Sequence, residues 1–205
     1  MIASVTREFT GMDIGKLSEV LLDRINPSWK KNILGMSQKE IDDRVEKISY
    51  RAIGGMTFSQ WADALGDYVK YAFIVRSQIN SPRSTVDKVD LNKIENALGI
   101  KDGAFDFENI ESYLSQTNEV CRLLKQYGYT GFADNLNAAA GPVDKFIHGV
   151  LETYISDSSE GTRSENANKL YLMAGSQYGD AEQRRLREAL ASIIWNKYGE
   201  DIKKE

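Results

Sequence analysis

Residues 57–84, TFSQWADALGDYVKYAFIVRSQINSPRS, hold the longest uninterrupted helical pattern in the chain and constrain its fold more than any other stretch. Thr57 and Gln60 stand at the spacing of a capping box, in which two side chains satisfy backbone N–H groups that a helix start leaves open. Trp61, Leu65, Tyr68, Val69, Ala72 and Phe73 then recur every three or four residues, which predicts one apolar face. The pattern ends at Ser81-Pro82, because proline pushes the residue before it out of the helical region.

The rest of the chain follows the same grammar of caps, apolar stripes and stops. Residues 1–11 read as an extended arm. Asp13 caps a helix to Ile25, with Ile14, Leu17 and Leu21 on its inner side, and Asn26-Pro27 ends it and starts a short helix that closes at Gly35. Ser37 and Glu40 box a third helix carrying Ile41, Val45 and Ile48, which stops at Gly54-Gly55. Beyond the 57–84 stretch, a helix is expected from about Asp90 to Leu98, then a loop through IKDGAFD. Asp106 is expected to cap a long helix with Ile110, Leu114, Cys121 and Leu124 inward. Thr130 is expected to cap a small, alanine-rich helix to Ala140, and Gly141-Pro142 reads as a stop and restart before Val143, Phe146, Ile147, Val150, Leu151 and Tyr154. SDSSEGTRS, residues 156–164, reads as a mobile loop. Ser164 opens the next helix, which Gly175 ends, and Asp180 with Gln183 boxes the last one, lined by Leu186, Ala189 or Leu190, and Ile193, to Gly199.

The expectation is therefore all-α: an irregular multi-helix bundle of about eight to ten helices, in a single domain over residues 1–205. The polar segment 80–89 marks a possible sub-boundary between helical blocks 12–79 and 90–199. Strand signals are weak, with no Asn-Gly hairpin and no sustained alternation. The 20 aromatic residues argue against disorder.

Charge and special residues exclude several classes. A formal charge of −4 is unlike that of a dedicated duplex-DNA binder, so nucleic acid would need a local patch. The single cysteine, Cys121, rules out an internal disulfide framework or a cysteine zinc site. No apolar run approaches the ~18 residues that would span a bilayer, and MIASVTREFTGMD lacks a secretory pattern, so no membrane partner and a cytoplasmic or intracellular location are expected. Asn26-Pro27-Ser28 fails as a glycosylation site because proline occupies the middle.

The catalytic and metal-binding patterns fall short on spacing. Gly11 to Ser18 has three residues between its glycines where a phosphate-cradling P-loop needs four, and Leu17 stands where the hydroxyl belongs. His148 is the only histidine and has no serine or cysteine at helical spacing to activate. Cys121 falls on an apolar face, which raises a thiol pKa instead of activating it. Asp63 and Asp67 share a helix side, yet one histidine cannot supply a two-metal bundle, so they read as a solvated face. Residues 157–168 miss a calcium loop, with the glycine one place early and Asn168 where glutamate is required. No cofactor pattern is present.

Two patterns remain. Lys70, Tyr71, Arg76, Asn80, Arg83, Ser84 and Lys88 alternate cations with neutral polar groups, a mixture suited to phosphate oxygens, and Tyr71 or Phe73 could stack on a base if exposed. Trp29, Trp195 and Tyr198 lie near breaks or the chain end and are candidate interface anchors. Arg184, Arg185 and Arg187, flanked by Glu182 and Glu188, read as a salt-bridged surface. The function expected first is a non-enzymatic assembly, structural or adaptor protein acting through self-association, as a homo-oligomer or with a protein partner. The alternatives are a coat protein or nucleoprotein of viral or phage type, holding single-stranded nucleic acid through segment 76–88, and an enzyme with dispersed site residues.

Overall fold

A computed structural model describes residues 56–156, 159–175 and 180–204. Helix dominates them, so the chain is all-α in class. The described residues hold six α-helices: α1 (Phe58–Ile79), α2 (Lys88–Ala97), α3 (Ile110–Gln126), α4 (Thr130–Asp144), α5 (Glu160–Ala174) and α6 (Ala181–Ile202). A π-helical segment, Lys145–Ser156, follows α4 directly, and a 3-10 turn, Phe107–Asn109, precedes α3. The expected helices before Gly54, and with them the higher helix count, lie outside the described residues.

α1 starts as its sequence dictates. The Thr57 hydroxyl accepts the Gln60 N–H at 3.2 Å, and the Gln60 side-chain oxygen accepts the Thr57 N–H at 2.8 Å. Trp61, Leu65, Tyr68 and Ala72 are buried as predicted, joined by Phe58, Ala62, Val75 and Ile79, whereas Val69 is half-buried and Phe73 is exposed. Each large apolar side chain so buried stabilises the fold by about 1.5–3 kcal/mol. At the other end the Asn80 amide donates to the Arg76 carbonyl at 2.9 Å and closes the last turn before Pro82.

By its contacts the chain divides into two compact units. One is Asp63–Gly149, which contains segment 80–89. The other holds the described residues up to Ala62 together with those from Val150 onward.

In the Asp63–Gly149 unit, α2 begins two residues earlier than expected because Asp87 is its cap. The Asp87 carboxylate accepts the N–H groups of Val89 and Asp90, both at 2.9 Å. α3 packs on α2 and α4, burying Ile110, Leu114, Cys121 and Leu124. Burial raises the Cys121 thiol pKa, and the thiol donates to the Ala133 carbonyl at 3.3 Å.

Three expectations in this unit are corrected. The IKDGAFD loop is a β-hairpin, with β1 (Ile100–Lys101) antiparallel to β2 (Ala104–Phe105). Asp102 and Gly103 at its tip both have positive φ, 50° and 79°, the geometry that suits the twist of a two-residue turn. Asp106 does not cap with its side chain. Its carboxylate instead receives Lys101, Tyr113 and Asn109 at 2.6, 2.6 and 2.9 Å. Gly141-Pro142 does not stop α4. Pro142 lies inside it, and the register shifts to the π form three residues later, beyond the point where proline removes a helical donor.

In the Val150–Glu205 unit, α5 packs on α6. α5 begins at Glu160 with Ser159 at the cap position, so residues 160–164 are helical, not loop, and Ser164 is buried within the first turns. Asp180 caps α6 by accepting the Gln183 N–H at 2.9 Å, as its spacing predicts. Gly199 does not end α6. The helix bends at Tyr198 (φ −126°, ψ 17°) and continues to Ile202, which is buried. Arg187 is not a surface residue: it is 1% exposed, donates to the Ser59 hydroxyl at 2.9 Å and the Met173 carbonyl at 3.2 Å, and lies over the Phe58 ring.

Candidate functional site

The candidate site lies on the outer side of α1 near its C-terminus, within the Asp63–Gly149 unit. Ala72, Val75 and Ile79 are the buried residues of the last turns of α1. Phe73, Arg76, Ser77 and Asn80 form a second stripe at spacing i, i+3, i+4, i+7, so they share a different face. Together with Glu95 of α2 they line a shallow cavity of about 370 Å³, the low end of the range for small-ligand sites.

The polar wiring of this cavity is specific. The Asn80 amide nitrogen donates to the Arg76 carbonyl at 2.9 Å and to Glu95 Oε1 at 2.8 Å. Both partners are acceptors, which fixes the amide orientation and leaves Asn80 Oδ1 as an acceptor. Glu95 lines the same cavity as Arg76, yet its carboxylate takes the amide and forms no ion pair with the guanidinium. Phe73 and Val89 are the large apolar side chains exposed among the described residues, at 37% and 65%.

The cations divide into two groups. Lys93, Lys101, Arg122 and Lys125 each pair with a carboxylate, at 2.6 to 3.5 Å. Lys70, Arg76, Arg83 and Lys88 have no carboxylate partner among the described residues, and in this unit only Lys145 shares that state there. Lys70 rests 5.9 Å from the centre of the Tyr71 ring. The Ser81–Ser84 turn holds Arg83 outward, with the Ser84 N–H donating to the Ser81 carbonyl at 3.0 Å and the Ser84 hydroxyl accepting the Val86 N–H at 3.4 Å. Lys88 is exposed on the first turn of α2.

Just past the cations, the Tyr127 hydroxyl sits 2.7 Å from Asp87 Oδ2 and 2.8 Å from Asp90 Oδ2. The hydrogen bond to Asp87, then that to Asp90, pushes the phenol pKa up to about 12. Asp87 is held below the usual carboxylate range, chiefly by the Asp90 N–H and then by Tyr127. This anchor fixes the start of α2, and thereby Lys88, against the end of α3.

A second cavity, also of about 370 Å³, is lined by Lys93, Asn96, Ala97, Gln116, Glu119, Val120 and Leu123. Its charged groups are committed elsewhere: Lys93 to Asp90, and Glu119 to Arg122 through two contacts of 2.7 and 2.8 Å. Among the described residues no cluster of three histidine, cysteine or carboxylate side chains could hold a metal ion. No described helix is long and apolar enough to cross a membrane. His148 is exposed, with its Nε2 3.7 Å from Asp144 Oδ1.

The structure thus brings Arg76 and Asn80 into one cavity, and Lys70, Tyr71, Arg83, Ser84 and Lys88 lie outside its lining. Glu95 is the site residue that sequence reasoning missed, whereas Phe73, expected on the inner face, is the exposed ring that could stack on a base. The stripe shared with Arg76, Ser77 and Asn80 was a readable signal for Phe73, whereas Glu95 enters from α2 and has no local signal.

The interface candidates are placed differently. Trp195 is half-buried, its ring 5.3 Å from that of Tyr171 and beneath the Lys203 ammonium at 5.8 Å. Tyr198 is buried and its hydroxyl is 2.9 Å from that of Ser156. Trp29 lies outside the described residues. The chain matches no protein-family model, no curated protein and no solved structure.

Proposed function

We propose that the protein is a non-enzymatic helical subunit that works by association, and that residues 70–88 form its surface for single-stranded nucleic acid. A coat or nucleoprotein role would combine this contact with self-association inside the cell, and would extend the bundle through residues 1–55 to the eight to ten helices the caps imply. One observation carries the reading: four cations in a short stretch have no carboxylate partner among the described residues, beside an exposed Phe73, while most other cations of that unit are paired. An uncommitted guanidinium offers a planar fork of donors that matches phosphate geometry. An exposed aromatic ring adds a stacking platform that any base can use.

The test is the salt dependence of binding to a single-stranded oligonucleotide. Each neutralised phosphate steepens the logarithmic slope by about 0.7 for single strands, so Arg76→Ala with Arg83→Ala should flatten it by about 1.4. Arg83 is exposed, where substitutions stay within about 0.5 kcal/mol, whereas Arg76 is half-buried, so the melting temperature of the double variant is measured beside its binding. No affinity at low salt, or an unchanged slope in the double variant, would overturn the assignment.

A further inference from the structure

The cavity beside Arg76 holds more than a cation. Its inventory is one aromatic wall, Phe73; one donor fork, Arg76; and several acceptors. Both hydrogens of the Asn80 amide are engaged, and its Oδ1, an acceptor, takes no hydrogen bond among the described residues. Glu95 uses Oε1 for that amide, which leaves Oε2 as a charged acceptor. The Ser77 hydroxyl makes no hydrogen bond among the described residues and adds a group of either sense. A bare phosphate site would not place a carboxylate at its wall, because like charges repel. A carboxylate and an amide oxygen beside an aromatic ring instead suit a flat ring bearing an N–H₂ group.

Phe73 and Arg76 are three residues apart, about 4.5 Å along the helix axis. A single nucleotide can therefore engage both, its base against the ring and its phosphate toward the guanidinium. Cytosine presents its N4 amino group and adenine its N6 amino group as donors, and carboxylates accept from cytosine N4 in known base readout. Thymine and uracil present a carbonyl oxygen at that position, which would face Glu95 as acceptor against acceptor.

We propose that this cavity reads the base of a bound strand, taking cytosine and adenine over thymine and uracil, with Glu95 and Asn80 Oδ1 as the acceptors. The inference rests on the single-strand reading above and deepens it at one pocket. Glu95 is the specificity-determining residue, Phe73 the stacking platform and Arg76 the phosphate contact.

The experiment titrates the full chain with oligo(dC), oligo(dA) and oligo(dT) of equal length at one ionic strength, followed by fluorescence anisotropy. Oligo(dC) and oligo(dA) should bind about five- to tenfold more tightly than oligo(dT), the low end of what one base contact discriminates. Glu95→Gln should bring the oligo(dC) and oligo(dT) affinities together while leaving the salt slope in place, since it touches no phosphate contact. Equal affinities in the parent protein, with a normal salt slope, would overturn the base preference and leave the single-strand reading standing. A preference that survives Glu95→Gln would also overturn it. Failure to bind any of the three strands would overturn both. The comparison in the parent protein needs no variant to fold, so the proposal stays open to refutation if Glu95→Gln is unstable.

Discussion

Asp106 shows how one side chain can take over a role that its position in the sequence does not announce. At the start of a helical run an aspartate normally caps, but here Lys101 on the hairpin and Tyr113 on α3 both reach its Oδ2 at 2.6 Å. The carboxylate ties the hairpin to the helix after it, and its pKa falls well below the ordinary carboxylate range, first through Lys101 and then through Tyr113 and Asn109. A depressed folded-state pKa stabilises the fold above the unfolded value, near 4, and that contribution fades as pH drops through the folded one. Asp106→Asn should therefore cost about 1–2 kcal/mol at neutral pH, with the exposed Lys101 arm contributing least. Urea denaturation of both proteins should show the gap closing below about pH 4. A gap that stays constant down to strongly acidic pH would mean the carboxylate charge is not what holds the hairpin. Arg187 carries a related lesson. Glu182 and Glu188 flank it and suggest a solvated surface, yet it shares spacing with Leu190, Ala191, Ile194 and Tyr198, all buried. Position on the helix outweighed the character of its neighbours in sequence.

Among the elements, the hairpin supplies the clearest test, because two of its glycines have left-handed backbone and different surroundings. Gly99 (φ 73°) would place a new Cβ 2.5 Å from Tyr113 Cδ2 and 3.0 Å from Phe105, whereas Gly103 (φ 79°) has open space around it. Gly103→Ala should cost only backbone strain, about 1–2 kcal/mol. Gly99→Ala adds overpacking of about 1–3 kcal/mol to the same strain. Equal losses for the two in urea denaturation would show that the Tyr113 and Phe105 rings move aside freely. The helices themselves were legible. The Thr57–Gln60 box and the Asp180 cap form the bonds their spacing implies, and Gly99, Gly128 and Gly175 stand where helices or their final turns end. The hairpin reads as a loop in the sequence: its Asp-Gly pair is the one local signal, and strands of two residues are too short to show alternation. What local pattern could not convey was continuity across Gly141-Pro142 and Gly199. Buried neighbours on both sides, Ala140 and Val143 in one case and Tyr198 and Ile202 in the other, keep the helix running past a residue that would end an isolated one. The candidate site was half legible for the same reason: its cations are contiguous in sequence, while Glu95 arrives through the packing of α2.

Charge is unevenly distributed over the whole molecule. Residues 70–88 carry four cations and Asp87, a net of +3 in a chain whose formal charge is −4, so the remainder holds −7. Under the proposed role, this segment would attract the acidic part of a second copy as well as a phosphate backbone. The C-terminal aromatics have less to offer a partner, since Tyr198 is buried and the Trp195 ring already meets Tyr171 and Lys203. Self-association is therefore expected to be electrostatic and to strengthen as salt is lowered from about 0.1 M to about 0.01 M, over which the screening length grows from about 10 to about 30 Å. Sedimentation should show mass rising over that range, and an oligonucleotide should compete with it for the same cations. Arg76→Ala with Arg83→Ala should remove most of the rise. If mass stays high in strong salt and ignores both arginines, apolar contacts elsewhere on the chain hold the copies together. A monomer at every ionic strength would leave residues 70–88 with a ligand other than a second copy and would remove self-association from the proposed role.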